Sequence, residues 1–426
     1  MSMAIWEPLS HRPIRRMWFG QVLAAIGAEL YAVAVIWTAI GLVGRDAGYI
    51  ATLQAAAVLV GSLSAGAVTD RWRYTTTMIT ADLARVAMVL VLPVAHVFGW
   101  MSPGLLLAVA VCVGLMTGWF DPALQATLTP LAPEPRLRHA SNALFDATRR
   151  FARIAGPMLV FVLHRAMSTI GFFAVTAVSF AASAAAVAAV VATGVPLVAP
   201  DRGPHARSGL DAVLGGFRAL GEQPLALYAL CSAAIANITW AGGYLFGMAL
   251  VFRVERSESL TGFAAMTLAY GIGNLMSNFV LASVPPTNAA RRIAVSKLIL
   301  GTGIVLLSLG PSLLLLMLIA ALTAVNGPLG DLAVLQVLQS SFPAQVLGRV
   351  FRAQTCMAWA GMLAGYLLAP SLLSWIRPST MVGVLGGLSM MVGVVGLALR
   401  HWRWIPAGTG QGSDVVTLPA ASRNSR

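Results

Sequence analysis

Charge is scarce in this sequence. Only 10% of its residues are Asp, Glu, Lys or Arg, against about a quarter in a soluble domain. Lysine is almost missing: Lys297 stands alone against 27 arginines. The three cysteines, Cys112, Cys231 and Cys356, lie far apart inside apolar runs, without the spacing of a metal site or a disulfide framework. There is no Gly-rich phosphate loop ending in Lys, no nucleophile elbow and no cluster of metal ligands. Those absences exclude ATP-driven chemistry by this chain alone and leave no enzyme reading, no cofactor and no metal. The opening HRPIRRMWFGQVLAAIGAELYAVAVIWTAIGLV has a basic head, but its apolar stretch is too long for a cleaved leader. It reads as a first membrane span.

What is present in quantity is oil. Hydrophobic residues make up 58% of the 426, and the mean hydropathy is +0.80. They come in runs of about 20, the length an α-helix needs to cross a bilayer. The reading is an all-α membrane protein of twelve spans in two pseudo-symmetric six-helix bundles. The spans fall near 16–43, 48–69, 75–97, 103–129, 140–164 and 169–195, then 224–251, 260–283, 293–309, 311–340, 350–374 and 379–400. Residues 1–195 form the first bundle and 224–404 the second. Between them, 196–223 is the long polar linker, in which Leu210, Val213, Leu214, Phe217 and Leu220 have helical spacing and predict a membrane-surface helix. Residues 405–426, rich in Gly, Ser and Pro, read as a disordered tail.

The halves look duplicated. At an offset of 210 residues Asp121 falls on Asp331, Ala123 on Ala333, Pro133 on Pro343, Leu137 on Leu347 and Ala143 on Ala353. The matches share one hydropathy frame, an apolar run leading into a Pro-punctuated basic turn and a charged helix start.

A net charge of +13 raises the possibility of nucleic acid, but the cations alternate along the chain instead of forming one patch. One side collects Arg12, Arg15, Arg16, Arg71, Arg73, Arg136, Arg138, Arg202, Arg207, Arg218, Arg291, Arg292, Lys297, Arg349, Arg352, Arg400, Arg403, Arg423 and Arg426. The other has Arg45, Arg165, Arg253, Arg256 and Arg377. Nineteen against five places both termini and the linker in the cytoplasm. Membrane lipid is then the partner of the surplus charge and nucleic acid is not.

Two halves of six spans around a cytoplasmic linker point to a secondary transporter with its site between them near mid-membrane. A turn adds a family. Gly66-Ala-Val-Thr-Asp70-Arg71-Trp72-Arg73 resembles the signature loop of the major facilitator superfamily, Gly-x-x-x-Asp-Arg-x-Gly-Arg-Arg, departing from it where Tyr74 follows Arg73. Within that superfamily the chain resembles the bacterial branch of enterobactin-type siderophore exporters and macrolide-efflux-like proteins. The resemblance rests on Gln21, Gly27-Ala-Glu29, Asp82-x-x-Arg85, Phe120-Asp121-Pro122-Ala123-x-Gln125-Ala126, Asn142-Ala143-Leu144 and Arg153-Ile154-Ala155-Gly156-Pro157. It covers most of the first half. Gly156-Pro157 sits where drug antiporters of the superfamily carry a Gly-rich motif, with Ala152 and Val160-Phe161 replacing its outer glycines. The resemblance implies export across a bacterial inner membrane.

Ionisable side chains inside spans are functional candidates by default. Glu29, halfway along span 1, is either the carrier of a coupling proton or a structural carboxylate, and Asp121 shares that candidacy. Asp82 and Arg85, three apart, share a helical face and can pair. With Asp70, Arg71, Arg73, Asp146, Arg149, Arg150 and Arg153 they form a candidate gating network, to which Asp331 and Arg352 are the second-half counterpart. The arginines of span 5 either attract an anionic cargo or latch the gate. Aromatic and amide side chains within spans are the candidate cavity wall: Tyr31, Trp37, Trp119, Asn237, Trp240, Tyr244, Asn274, Asn278, Asn326, Gln354 and Trp359.

The expectation is a monomeric, proton-coupled exporter of a siderophore or similar small molecule. A multidrug or macrolide efflux pump is the alternative reading. A membrane receptor or scaffold that moves no cargo is the reading from a different class, and uptake by symport stays open.

Overall fold

The computed structural model describes residues 6–69, 72–194, 209–221, 223–256, 260–282, 288–310, 312–342 and 344–401. Every regular element among them is helical. A 3-10 turn, Glu7–Ser10, leads into α1 (Arg12–Val43), α2 (Ala47–Thr69), α3 (Tyr74–Val97), α4 (Pro103–Leu131), α5 (Pro135–Leu163) and α6 (Thr169–Val191). Then come α7 (Gly209–Gly221) and α8 (Pro224–Ile238). The α8 rod widens into a π-helix over Thr239–Gly247, tightens as α9 (Met248–Leu250), and widens again over Val251–Glu255. After it follow α10 (Leu260–Ala282), α11 (Ala289–Ser308), α12 (Leu313–Thr323), α13 (Asn326–Ser341), α14 (Ala344–Leu373) and α15 (Pro378–His401).

Eight helical stretches are long and apolar enough to cross a membrane. The first, Arg12–Ala65, has 54 residues, about 80 Å of helix at about 1.5 Å per residue. That is two crossings, folded back at Gly44, whose φ of +58° suits a residue without a side chain. Helix starts are marked by prolines at Pro13, Pro103, Pro135, Pro224 and Pro378, where a missing N–H costs nothing. Hydroxyls inside the rods are satisfied by carbonyls of their own helix, as Thr127 by Ala123 and Thr148 by Leu144, so apolar surroundings leave them no unmet bond. Leu23, Leu90, Val178 and Leu322 stay exposed on the outside, as a lipid-facing surface requires.

Two sequence expectations change here. Lys297, counted among the surface cations, lies two turns inside α11 and is 5% exposed. The linker helix α7 packs on α14 and α8, with Leu220 buried and Phe217 beside it in a core with Leu225 and Ala226. Protein, therefore, covers those two side chains. The rest of the linker, 195–208, and the tail from 402 lie outside the described residues.

Helices of the first half pack chiefly on each other, α1 on α5 and α6, α2 on α4, and α3 on α4 and α6. In the second half α11 packs on α12, α13 and α15, α8 on α14, and α10 on α12. Two seams join the halves: α2 with α14, and α5 with α10. At the 210-residue offset α2 falls on α10 and α5 on α14, so exchanging the halves converts one seam into the other.

The apolar cores show where the halves part. One core runs through both, from Tyr31, Ile40, Ile50 and Phe172 to Phe252, Leu260, Tyr366 and Leu373. A second holds only first-half residues, including Ile14, Met78, Leu131 and Phe145. A third holds only residues from Leu220 onward, including Ile293, Leu338 and Val350. The shared core takes in the end of α1 and the starts of α2 and α10. The separate cores sit where α1, α3, α5, α11 and α14 begin. The molecule is fused at one end and divided at the other, and the interval between the two separate cores is its cleft.

Candidate functional site

Charged side chains reach that cleft from the middle of otherwise apolar helices. Asp121 of α4 keeps exposed surface in the middle of an apolar rod instead of joining a core. Arg149 and Arg153, one turn apart on α5, are exposed as well. Asp121 lies within electrostatic reach of Arg149 and of Arg85.

Behind it is a buried network. Arg85 donates from Nη1 to Asp82 Oδ1 at 2.9 Å and from Nη2 to the Met116 carbonyl at 3.0 Å. Its guanidinium lies 4.7 Å above the Phe120 ring and 5.2 Å from that of Phe180. Asp82 is fully buried beside Ser183, whose hydroxyl accepts from Gln21 Nε2 at 2.9 Å. The three-residue spacing that predicts this ion pair thus ties α3 to α1, α4 and α6. It stands behind the wall and out of reach of a cargo.

Glu29 sits where three helices meet. Its stem fills the space left by Gly156 of α5, Arg153 one turn earlier acts on its charge, and Tyr366 of α14 faces it from the second half. Arg153 in turn reaches Tyr270 of α10. There α5 and α10 touch at backbone range: a side chain on Gly271 would meet Ile154 at 2.9 Å and the Arg153 carbonyl at 3.4 Å.

Tyr270 anchors an aromatic group the sequence only half revealed. Trp240 and Tyr244 stack with centroids 4.5 Å apart at 9°, and Tyr270 closes on them at 4.7 and 4.9 Å. The π-helix carries the first two, and its wider turn sets residues four apart more directly over one another than an α-turn does. Asn326 donates to the Tyr270 hydroxyl at 3.3 Å, and Asn274 to the Ala324 carbonyl at 3.2 Å. Asp331, further along α13, acts on both Tyr270 and Lys297. A row of polar groups therefore crosses from Glu29 through Arg153 and Tyr270 to Asp331 and Lys297.

Other candidates are placed less centrally. Tyr31 and Tyr244 are buried, at 3% and 0% exposure, and offer a cargo no surface in this conformation. Trp37 is in the fused end: Arg253 donates to its carbonyl at 2.7 Å and lies 4.9 Å above its ring, which stacks on Phe263. Arg45 reaches the Leu373 carbonyl at 3.5 Å, and Gly48 packs on Pro370 in the same seal. Trp119 is half-buried and donates to Ser64 within the first half at 2.9 Å. Asn237 bonds its own helix and, like Asn274, Trp240, Gln354 and Trp359, stays half-buried. Arg73 occupies the N-cap position of α3 without a capping bond from its side chain. Asp70 and Arg71, and the side chains of Asp146, Arg150 and Arg352, lie outside the described residues.

Sequence reasoning missed Tyr270, Tyr366 and Lys297. Tyr270 had a signal, one turn before Asn274 on the same face of α10. Lys297 had another, since Arg85 moved by the duplication offset lands two residues from it. Apolar crevices on the outer surface, between α3 and α4 and between α11 and α12, contain no ionisable side chain.

Known proteins share this architecture. A POT family transporter in complex with 5-aminolevulinic acid superposes with a TM-score of 0.75 over 92% of this chain and 96% of its own, at 11% identity. A POT family transporter crystallised in meso does so at 0.70 over 92% and 99%, at 14% identity. Among curated proteins, the multidrug efflux pump Tap of Mycolicibacterium fortuitum is 25% identical over 370 residues, 84% of this chain and 88% of the pump. Residues 17–351 match the family model of the Major Facilitator Superfamily. The chain belongs to the Major Facilitator Superfamily of membrane transporters.

Proposed function

We propose that this transporter is a proton-coupled exporter of amphipathic, drug-like small molecules. It works as a monomer in a bacterial inner membrane, with both termini and the linker in the cytoplasm. In this reading two bundles, 1–195 and 224–404, rock about the seams, and the divided end opens to the cytoplasm. The observation that carries it is Glu29 at the meeting of α1, α5 and α14, with Arg153 linking it to the second half. A proton taken by Glu29 removes the charge that holds Arg153, and Arg153 is then free for cargo or for Asp121. Rocking carries the same carboxyl to the other side, where the proton leaves.

Cargo class follows from the wall. Trp240 and Tyr270 offer half-buried ring surface, and Asn274, Asn278 and Gln354 add neutral polar groups. Such a mixture suits ring-containing molecules of varied charge. The likeness to a multidrug efflux pump favours that breadth. A siderophore is the second reading, favoured by the first-half motifs from Gln21 to Pro157.

The test is transport into liposomes holding purified protein under an imposed pH gradient, with amphipathic fluorescent dyes and a catecholate siderophore as cargoes. Dye accumulation driven by the gradient is expected, and Glu29→Gln should abolish that drive while dye binding survives. If Glu29→Gln transports like the parent, Glu29 does not carry the proton. If neither cargo moves, the proposed cargo class is wrong.

A further inference from the structure

We propose that Lys297 and Asp331 form a second proton-coupling site, in the second half, where a proton reaching Asp331 releases the chain's only lysine from the attraction of that carboxylate. This rests on the proton-coupled reading above and extends it to a pair of residues not used there.

Geometry brings the two together. Lys297 is buried two turns inside α11. On the neighbouring α13, Gly330 has no side chain, and α11 packs closely on it at Ser296 with the Lys297 ammonium alongside. A Cβ at Gly330 would stand 2.7 Å from Ser296 Oγ and 3.5 Å from Lys297 Nζ. Asp331 is the next residue, exposed on the apolar rod α13, and its charge acts on Lys297.

The first half contains the same device in another form. Asp331 is the duplicate of Asp121, and Lys297 lies 212 residues on from Arg85. In each half a cation from the third rod faces an aspartate of the fourth. The chemistry differs. Arg85 is held by two carboxylates, Asp82 at 2.9 Å and Asp121, and a guanidinium keeps its charge at every accessible pH. At the offset that carries Arg85 to Lys297, Asp82 falls on Ala294. Lys297 has no second carboxylate from its own helix, and an ammonium, unlike a guanidinium, can exchange its proton. One half thus carries a permanent lock and the other a lock that a proton opens.

Few groups compete for that proton. On the elements packed against α11, α13 supplies Asp331, α8 supplies Tyr228 and Cys231, and the π-helix supplies Tyr244. Helix α12 supplies none, and α15 none over Pro378–Leu399. Around α13, α10 adds Tyr270, which Arg153 also reaches, and α14 adds Arg349, Arg352, Cys356 and Tyr366. The step itself is simple. A proton from cleft water forms an O–H bond on the Asp331 carboxylate, no other bond changes, and the attraction to Lys297 is lost.

The experiment compares Lys297→Arg, Lys297→Met, Asp331→Asn and the neutral double variant K297M/D331N in liposomes. Two readouts are taken: pH-gradient-driven accumulation across a pH series, and dye counterflow, which needs no net proton movement. Each variant should lose about tenfold in driven accumulation and show a flattened pH profile, while counterflow stays within about twofold. Asp331→Asn is decisive, because it removes the carboxylate that takes the proton and leaves Lys297 in place. A parental pH profile in Asp331→Asn makes the carboxylate structural and overturns the proposal. So does a parental profile in K297M/D331N, which tolerates burial if either single variant fails to fold. A parent protein that ignores the gradient instead defeats the proton-coupled reading itself, and this site with it.

Discussion

At the scale of single residues, the Asp82–Arg85 pair shows what the sequence can and cannot disclose. Two opposite charges three apart on a helix can meet, and they do, at 2.9 Å and out of contact with water. Removing one member leaves the other charged and buried, a loss of about 3–5 kcal/mol, whereas replacing both with apolar residues of similar volume is often near neutral. Arg85→Met or Asp82→Asn alone should therefore lower the unfolding temperature in detergent, and the double variant R85M/D82L should regain most of it. If the double variant is as unstable as the singles, the pair contributes more than charge balance. Facing, in contrast, was not legible. Tyr31, Trp37 and Tyr244 read as cavity wall because aromatics in spans can line a site. Whether they do depends on which neighbour covers them, here the shared core and the Arg253 guanidinium. Lys297 was misplaced for a related reason. Hydropathy cannot distinguish a loop cation from one two turns into a helix that feels a carboxylate 34 residues further on.

At the scale of elements, long apolar runs gave rods within a few residues of their observed ends, because length and hydropathy alone define a span. What escaped was local winding. The π-helix over Thr239–Gly247 lies against distant segments, Gly242 on the Gly365 carbonyl and Gly247 on Val382, and at the break between Thr323 and Asn326 the Asn326 side chain bonds the Thr323 carbonyl three residues back. None leaves a periodic trace. Close helix approach is the second element-scale feature. Gly118 of α4 meets the backbone of α2 at Ser62 N and Gly61, where a Cβ would stand at 2.6 and 2.7 Å. A backbone cannot retract as a side chain can, so Gly118→Leu should push α2 from α4 and sharply reduce folded yield, by the 1–3 kcal/mol typical of overpacking or about that and more. Gly387→Leu is the control, since a Cβ there meets nothing within 4 Å, and its yield should stay near the parent's. Equal yields would show that α2 and α4 have room to separate.

At the scale of the whole molecule, the arrangement of cores determines which end moves. One core crosses both halves at the end where Arg253 covers Trp37 and Gly48 packs on Pro370; at the other end each half keeps its own core. Splitting the shared core exposes apolar surface on both halves, so the cleft cannot open on that side unless contacts form at the other. The seams are exchanged by the duplication, so the same set of helices can serve both conformations. A disulfide between Gly48→Cys and Pro370→Cys, in a variant lacking Cys112, Cys231 and Cys356, should form readily in the resting protein and stop transport until reduced. Under that lock Gln125→Cys, exposed one turn after Asp121 on the same face of α4, should still react with a membrane-impermeant thiol reagent added from the arginine-rich face. The same reagent added from the opposite face should not reach it. Labelling from the sealed face, or unimpaired transport with the disulfide closed, would mean that the fused end is not the gate and that cargo passes by another route.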